Sequence, residues 1–150
     1  LSALIKGMAV CTGVGLVPSR VIDTIGISNA TRLAMKKAIA NLTCYPESIL
    51  IDYFVLPDVA LPQKGVEDGD TLCMSIACAS IIAKVARDAI MVKFDRIYPG
   101  YHFAENKGYC TEEHVDELEK LGFSPIHRLS FHPQRMLPGF ENAGDDDDEA

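Results

Sequence analysis

The chain lacks a long apolar run and any leader-like beginning. A helix that crosses a bilayer needs roughly 20 consecutive apolar residues, and no segment of the sequence approaches that length. The opening stretch, LSALIKGMAV, has neither the basic start nor the small-residue cleavage site of a signal peptide. We therefore expect a cytoplasmic protein that has no membrane partner.

The cysteines form no recognisable metal or disulfide pattern. There are five, an odd number, in apolar segments without Cys-x-x-Cys spacing: Cys11, Cys44, Cys73, Cys78 and Cys110. Neither a zinc site nor a disulfide framework is indicated. We expect reduced thiols in the core, where cysteine behaves as a small apolar residue.

Acidic residues are concentrated at the end of the chain. The net charge of -7 becomes -2 when the five acids of Asp145 to Glu149 are left out. We expect one domain over residues 1–140 and a disordered acidic tail over residues 141–150, because such a run cannot pack. A nearly neutral body argues against strong nonspecific binding of nucleic acid, which needs clustered cations.

One segment has no acid at all. Between Lys120 and Phe140 there is no Asp or Glu, while positive or protonatable side chains are supplied by Lys120, His127, Arg128, His132 and Arg135. This segment is either an arm that faces phosphates or an ordinary solvated surface.

Strand and helix patterns alternate along the chain. Residues 7–17 (GMAVCTGVGLV) predict a strand, and residues 49–57 (ILIDYFVLP) predict a strand covered on both faces. Helices are predicted after Ser19, Ser28 and Thr111, with a long one over about 72–98 that Asp70 or Thr71 would cap. Residues 58–70 predict a loop or a ragged hairpin. This order indicates an α/β fold, with helices packed on a sheet.

The long helix poses a chemical question. Its first half is almost entirely apolar and predicts burial, yet Ser80, Lys84 and Asp88 follow at four-residue steps, which places them on one face. A simple Lys84–Asp88 ion pair is one interpretation. The other involves Asp52, which interrupts the second strand: if it meets Asp88, the two carboxylates would repel unless a divalent cation lies between them.

The motifs resemble those of one family. The segments GDTLCMSIACASIIAKVARDAIM, YPGYHFAENKGYCTEEH, LGFSPIHRLSF, GISNATRLAM and ILIDYF are similar in order and spacing to ribonuclease HII, over roughly residues 1–133. The resemblance implies a ribonuclease H-like layered α/β domain whose N-terminal portion is missing. Leu1 in place of Met, and a helix-like start, also lead us to expect a fragment comprising the C-terminal two thirds of that domain.

The resemblance also implies an activity. The family cuts the RNA strand of RNA–DNA hybrids, including embedded ribonucleotides, with two divalent ions held by four acids. Asp52 and Asp88 match the third and fourth acids, so Mg²⁺ or Mn²⁺ is the implied cofactor, and Lys84 matches the lysine beside the metals. Tyr109 matches the tyrosine that stacks on the sugar at the DNA side of the junction. Lys107 and Arg128 are further predicted contacts to the hybrid, and we expect a monomer.

Two departures from the family pattern limit this prediction. The adjacent Asp-Glu that precedes Ala-Gly-Arg-Gly in the family, and supplies its first two acids, is not in the chain. Tyr53 stands where the family commonly has glycine. A non-catalytic fragment that binds nucleic acid is therefore an alternative, and we expect little activity from the chain itself. An unrelated nucleotide-binding module is disfavoured because no glycine-rich phosphate loop follows a strand.

Overall fold

The computed structural model describes residues 1–133. The predicted acidic tail and Arg135 lie outside the described residues. Within them, no helix is long and apolar enough to cross a membrane. The elements in chain order are α1 (Ser2–Met8), α2 (Ser19–Ile25), α3 (Ile27–Ala40), β1 (Ile49–Asp52), β2 (Gln63–Val66), α4 (Gly69–Leu72), α5 (Met74–Ile97), α6 (Phe103–Asn106) and α7 (Glu112–Leu121).

The described sheet consists of two parallel strands. Ile49 of β1 lies opposite Gln63 of β2, so the segment predicted as a loop or hairpin instead contributes a parallel strand. The Gln63 side chain holds the connection between β1 and β2 against the start of β2. Its amide accepts from the backbone N–H of Leu56 at 2.6 Å and donates to the carbonyl of Leu56 at 2.9 Å. The expectation that β1 is covered on both faces was wrong: Ile51 is 6% exposed but its neighbour Leu50 is 49% exposed.

The predicted strand over residues 7–17 does not form. Its start lies in α1, and the remainder is irregular and pairs with no strand among residues 1–133. This part of the chain packs on α3 so closely that a Cβ at Gly15 would lie 1.8 Å from the carbonyl oxygen of Ala34. The Asn41 amide donates to the carbonyl of Val14 at 2.8 Å. The side chain of the residue that caps the end of α3 thus satisfies a backbone group that a neighbouring strand would otherwise bind.

Two cysteines correct the prediction of five reduced thiols. Cys11 and Cys44 form a disulfide with 6.3 Å between their Cα atoms. The irregular segment before α2 runs back along α3 and so reaches the residues that follow the end of that helix. A separation of 33 residues in sequence concealed this proximity. The other three cysteines are free, and Cys110 is exposed rather than in the core.

Helix α5 spans 24 residues, which corresponds to about 36 Å at the usual rise. It begins later than predicted, because Cys73 has an extended backbone that separates it from the single turn α4, and no side chain caps either helix. The predicted burial of its first half was also wrong. Ile76 and Ile82 are each 6% exposed, whereas Met74 is 83% exposed.

The aromatic core lies at the other end of α5. It is formed by Tyr101, Phe103 and Leu118, against which partly buried residues pack from the end of α5 and from the segment after α7: Met91, Phe94, Tyr98, Phe123 and Ile126. Helix α7 begins where the sequence predicted, since Thr111 Oγ1 accepts from the backbone N–H of His114 at 3.3 Å. It ends at Gly122, whose φ of 74° favours glycine.

A pair of stacked histidines belongs to this core. His127 Nδ1 accepts from the backbone N–H of Ser124 at 2.9 Å. Its proton is therefore on Nε2, which faces Nε2 of His114 at 3.2 Å. Burial, and then the neighbouring His114, lower the pKa of His127 to about 4. His127 is accordingly neutral at pH 7 and has a packing role.

Replacing His127 with Asn is expected to flatten the pH dependence of stability. The pKa of His127 is about 4 in the folded chain and about 6.5 in an unfolded one. Stabilisation by the neutral ring is complete above pH 6.5 and is lost as the pH falls toward 4, because only the unfolded chain then binds the proton. Between pH 7 and pH 4, this effect should lower the free energy of unfolding of the unmodified chain by about 1 to 2 kcal/mol, since partial exposure of His127 screens the full effect. The His127→Asn chain should not show this loss.

The measurement is urea unfolding of both chains between pH 7 and pH 4, with the exposed His132→Asn as the control. The hydrogen bond to Glu117 raises the pKa of His102. This raised pKa increases stability as the pH falls, but it is common to every variant and so does not affect the comparison. If the His127→Asn chain lost as much stability between pH 7 and pH 4 as the unmodified chain does, the low pKa of His127 would be contradicted.

Candidate active site

Asp52, a predicted metal ligand, is the last residue of β1, at the carboxyl end of a parallel strand. In α/β proteins ligands gather at this end of the sheet. Asp52 Oδ1 accepts a hydrogen bond from the backbone N–H of Gly69 at 2.9 Å. A Cβ at Gly69 would lie 3.2 Å from that oxygen and 2.7 Å from the Ile76 side chain. The start of α4 therefore fixes the Asp52 carboxylate through one of its two oxygens.

Tyr53 shows why glycine suits the position after Asp52. Its φ is 63°, in the left-handed region, which costs a residue with a side chain on the order of 1 kcal/mol. Asp52 nevertheless stays in register with Val66 of β2. The Tyr53 side chain is 69% exposed, so the substitution alters the loop that follows the carboxylate and leaves the strand that carries it intact.

A cavity of about 640 Å³ opens beside Asp52, between α3, β1 and α5. Most of its wall is apolar, from residues of all three elements. Few side chains on its wall are polar. Those that carry an oxygen atom able to bind a cation are Thr12, Asp52, Asp70, Ser75 and Ser80. Asp52 and Ser80 thus border one space, which places the end of β1 beside the Ser80 end of the polar row, while Lys84 and Asp88 lie outside the described wall of this cavity.

The row at Ser80, Lys84 and Asp88 lies on an accessible part of α5. Ser80 and Lys84 are exposed, and the Asp88 side chain is 29% exposed. The large penalty for burying a charge therefore does not arise at these positions. An accessible row of a hydroxyl, an ammonium and a carboxylate can face a polar ligand directly.

Asp88 is paired with Arg87, and the Lys84–Asp88 ion pair is absent from the described residues. The Arg87 guanidinium donates from Nη2 and Nε to Asp88 Oδ1, at 2.9 and 3.2 Å. Sequence spacing favoured the residue one turn away. The structure instead uses the adjacent residue, because the long arginine side chain folds back along the helix.

The two carboxylates lie on neighbouring elements. Ile76, whose side chain approaches Gly69 beside Asp52, precedes Asp88 by twelve residues, or about 18 Å along the helix axis. Both donors are carboxylates, the kind of ligand that Mg²⁺ and Mn²⁺ prefer. Within residues 1–133, however, no three His, Cys, Asp or Glu side chains are grouped so as to hold a metal. The donors fit such an ion in type, and a shared site at Asp52 and Asp88 stays a prediction.

Tyr109 is connected to Asp88 through Arg87. The guanidinium carbon of Arg87 lies 4.4 Å from the centroid of the Tyr109 ring, and Tyr109 is 53% exposed. Burial alone would lower the pKa of Arg87, but its hydrogen bond with Asp88 and the nearby Tyr109 raise that pKa above its usual value. Arg87 therefore stays charged and holds both partners.

The predicted nucleic-acid contacts surround a second cavity, of about 750 Å³. Tyr109, Lys107 and Arg128 all line it. The Lys107 ammonium donates to the carbonyl of Ala104, and the Arg128 guanidinium carbon lies 4.8 Å from the centroid of Phe131. We call this space the basic cavity, because its described wall has no Asp or Glu and its nitrogen-bearing side chains are Arg20, Arg87, Lys107, His114, His127 and Arg128.

Some of these residues were not singled out by the sequence. Arg87 gave no signal beyond its position next to Asp88, and Arg20 lies far from the acid-poor segment in sequence. Asp23 anchors that segment: its carboxylate accepts from the backbone N–H groups of Leu129 and Ser130 at 3.0 and 2.9 Å. These contacts, chiefly the hydrogen bonds from Ser130, lower the pKa of Asp23. The basic cavity is thus assembled from α2, α5, α6, α7, the loop between α6 and α7, and the residues that follow α7.

Comparison of the sequence with known proteins finds ribonucleases. A model of the family Ribonuclease HII matches residues 5–134. Ribonuclease HII of Dehalococcoides mccartyi strain BAV1 is 57% identical over 136 residues, which cover 90% of this chain and 64% of that protein. Ribonuclease HII of Desulfitobacterium hafniense strain Y51 is 50% identical over 129 residues, which cover 86% of this chain and 50% of that protein.

The second Dehalococcoides mccartyi protein, from strain 195, agrees: it is also a Ribonuclease HII, is 53% identical over 133 residues, and is covered over 63% of its length. The chain spans between half and two thirds of the length of the curated relatives it matches. The family match covers most of the chain, including both predicted metal ligands and Tyr109. The chain therefore belongs to the ribonuclease HII family.

Proposed function

We propose that this chain carries part of the active site of an endoribonuclease that hydrolyses the RNA strand of RNA–DNA hybrids and cuts at embedded ribonucleotides. The hybrid duplex is its proposed partner. The family membership supports the reaction class, and the basic cavity supports a polyanionic ligand, because its wall contributes cations and no described carboxylate. A monomeric state, a cytoplasmic location and a domain over residues 1–140 stay predictions.

The observation that carries the proposal is the contact chain from Asp88 through Arg87 to Tyr109. By resemblance, Asp88 is a metal ligand and Tyr109 stacks on the sugar at the junction. A single guanidinium that touches both brings the proposed cutting site and the proposed recognition residue into one local arrangement. Such proximity is required if the bond that is cut is the one beside the recognised sugar.

Asp52 and Asp88 would hold the divalent ions, with Mg²⁺ or Mn²⁺ as the fitting cations. When bound, such ions supply an activated water for in-line attack on the phosphodiester and stabilise the leaving 3′-oxygen. Lys84 is exposed and lies one turn from Asp88 on α5, and its ammonium would contact a phosphate oxygen at the cut.

Substrate binding would use the basic cavity. The face of Tyr109 that is accessible to solvent would stack against the sugar, while Lys107 and Arg128 contact phosphates of the duplex. Phosphate contacts give affinity and position without reading sequence. The shape of the hybrid and its 2′-hydroxyl groups would supply selectivity.

A second candidate is a nucleic-acid-binding chain that does not cut by itself. Two observations favour it for this chain alone. The described residues contain no group of three metal-ligating side chains, and the family's Asp-Glu-Ala-Gly-Arg-Gly motif is not in the sequence. Of the four acids that the resemblance implies, only Asp52 and Asp88 are matched in this chain, so the set of ligands for two ions is incomplete.

We expect the chain as given to show little or no cleavage of a duplex that carries one embedded ribonucleotide, in Mg²⁺ or Mn²⁺. In a version that also carries the missing motif, we expect cleavage, and Asp88→Asn should reduce it at least a hundredfold, since even outer-sphere partners of a metal typically contribute 10- to 100-fold. The measurement is a gel assay of product formation.

Asp95→Asn, a change on the same helix away from the proposed site, is the matched control and should cut normally. Robust cleavage by the chain as given would refute the expectation of inactivity. Unimpaired cleavage by the Asp88→Asn version would remove Asp88 from the metal site.

Arg128→Ala is expected to weaken binding of an RNA–DNA hybrid and to reduce its salt dependence. Each phosphate contact that is lost lowers the slope of log affinity against log salt by about one. The measurement is fluorescence anisotropy of a labelled hybrid at several salt concentrations. Lys93→Ala removes an exposed charge outside the basic cavity and should leave the slope unchanged. An identical slope for Arg128→Ala would show that Arg128 contacts no phosphate.

A further inference from the structure

One carboxylate holds the acid-poor segment against α2. Both oxygens of Asp23 are engaged: Oδ2 accepts from the backbone N–H of Leu129 at 3.0 Å, and Oδ1 accepts from the backbone N–H of Ser130 at 2.9 Å. The hydroxyl of Ser130 also donates to Oδ1, at 2.6 Å. These hydrogen bonds join residues that are 106 and 107 positions apart in sequence.

The two amides need an acceptor outside their own segment. Residues 128–131 form a turn in which the N–H of Phe131 donates to the carbonyl of Arg128 at 3.4 Å. Leu129 and Ser130 are the two central residues, and the hydrogen bond that closes such a turn uses neither of their N–H groups. Asp23 accepts from both, and a hydrogen bond to a charged acceptor is roughly twice as strong as one to a neutral acceptor. The carboxylate therefore fixes the turn.

Arg128 lies between two fixed points. On one side, His127 packs on His114 in the aromatic core, with 5.3 Å between the ring centroids. On the other side, Asp23 holds the turn that Arg128 begins. The backbone of Arg128 is thus held from both directions, and its side chain extends from a fixed position into the wall of the basic cavity.

Asp23 lies near Arg128 without neutralising it. The hydrogen bonds from Ser130 and Leu129 lower the pKa of Asp23 most, and the positive charge of Arg128 lowers it further. The carboxylate is occupied by these donors, and among residues 1–133 Arg128 makes no ion pair. The guanidinium therefore has donors to offer to a phosphate.

We propose that Asp23 is a positioning residue for nucleic-acid binding: through the turn at residues 128–131, it sets where Arg128 meets the phosphates of the duplex. The proposal rests on the proposed function, in which Arg128 is a phosphate contact. It adds that affinity for a polyanion depends on a carboxylate. Asp23 acts through Arg128 and needs no contact with the nucleic acid.

The direction of the expected effect is diagnostic. Removal of a negative charge from a protein that binds a polyanion ordinarily strengthens binding, because repulsion is reduced. Asp23→Asn keeps the size of the side chain but has one acceptor oxygen where the carboxylate has two. We expect it to weaken binding instead, because the turn loses at least one anchor and Arg128 loses its fixed position.

The first test measures the anchor without nucleic acid, by NMR of backbone amide exchange. In Asp23→Asn, the amide of Leu129, of Ser130 or of both should exchange about tenfold faster, the factor expected for loss of a hydrogen bond to a charged group. The amide of Val115, which donates to the carbonyl of Thr111 at 3.0 Å, is the internal control and should keep its rate. Unchanged exchange at both test amides would overturn the proposal.

The second test measures binding of an RNA–DNA hybrid by fluorescence anisotropy at several salt concentrations. Asp23→Asn should weaken binding and lower the slope of log affinity against log salt by about one, as Arg128→Ala does. In an Arg128→Ala background it should cause no further loss. The matched control is Glu113→Gln, which removes an exposed negative charge outside the basic cavity and should bind at least as tightly as the unmodified chain.

Ser130→Ala tests the same anchor with no change in charge. It removes the hydroxyl that donates to Asp23 and leaves the backbone donors in place. We expect binding about twofold weaker, near the lower end of what one hydrogen bond contributes, and no loss in the Arg128→Ala background. If Asp23→Asn does not fold, normal binding by Ser130→Ala would overturn the role of Asp23.

The outcomes are distinct. Tighter or unchanged binding by Asp23→Asn would overturn the role of Asp23 while leaving the proposed function standing. An equal loss with and without Arg128 would also overturn it, since a merely structural change weakens binding in both backgrounds. No binding of the hybrid by the unmodified chain would overturn the proposed function, and with it this role, even if amide exchange changes as expected.

Discussion

Helix α5 is the element that fixes the distances between Asp52, Asp88 and Tyr109. Its first turns lie beside the sheet, where Ile76 approaches Gly69 and the end of β1. Its last turns enter the aromatic core through Met91 and Phe94. The helix cannot shorten without breaking its own hydrogen bonds, and its packing at both ends resists displacement. The spacing between Asp52 and Tyr109 is therefore set by one continuous helix.

The polar row of α5 has a simple energetic basis. A buried row of Ser80, Lys84 and Asp88 would need compensating partners for each charge. The structure leaves Ser80 and Lys84 exposed and gives Asp88 an arginine partner. A partly exposed pair of adjacent residues contributes little to stability, so its arrangement is better understood as positioning than as a source of folding energy.

The sequence predicted the elements that depend on local patterns. Helix α3 follows from apolar periodicity, helix α5 and strand β1 from apolar runs, and the start of α7 from the residue type and position of its Thr111 cap. It failed for features that depend on residues distant in sequence. The segment at residues 7–17 has strand-like composition but packs on a helix, β2 pairs in parallel, and Cys11 meets Cys44. No local pattern encodes any of these.

The candidate site shows the same division. Resemblance predicted roles for Asp52, Asp88 and Tyr109, because their motifs are contiguous in the chain, and these roles stay predictions. The link that Arg87 makes between Asp88 and Tyr109 was not predicted, since it depends on how the loop after α6 rests on α5. The ion pair chosen from helical spacing was the wrong one, because a flexible arginine next to the carboxylate competes with a lysine one turn away.

The central claim is that Asp52 and Asp88 contribute to one divalent cation site. It is tested most directly by titrating the chain with Mn²⁺ and following free Mn²⁺ by electron paramagnetic resonance, for the unmodified chain, Asp52→Asn, Asp88→Asn and the double variant. A shared site predicts that one Mn²⁺ binds per chain and that either single change weakens its binding tenfold or more, a loss of about the size known for altered metal surroundings. Loss of only one of two bound ions in each single variant, or a single variant that binds Mn²⁺ as the unmodified chain does, would contradict it.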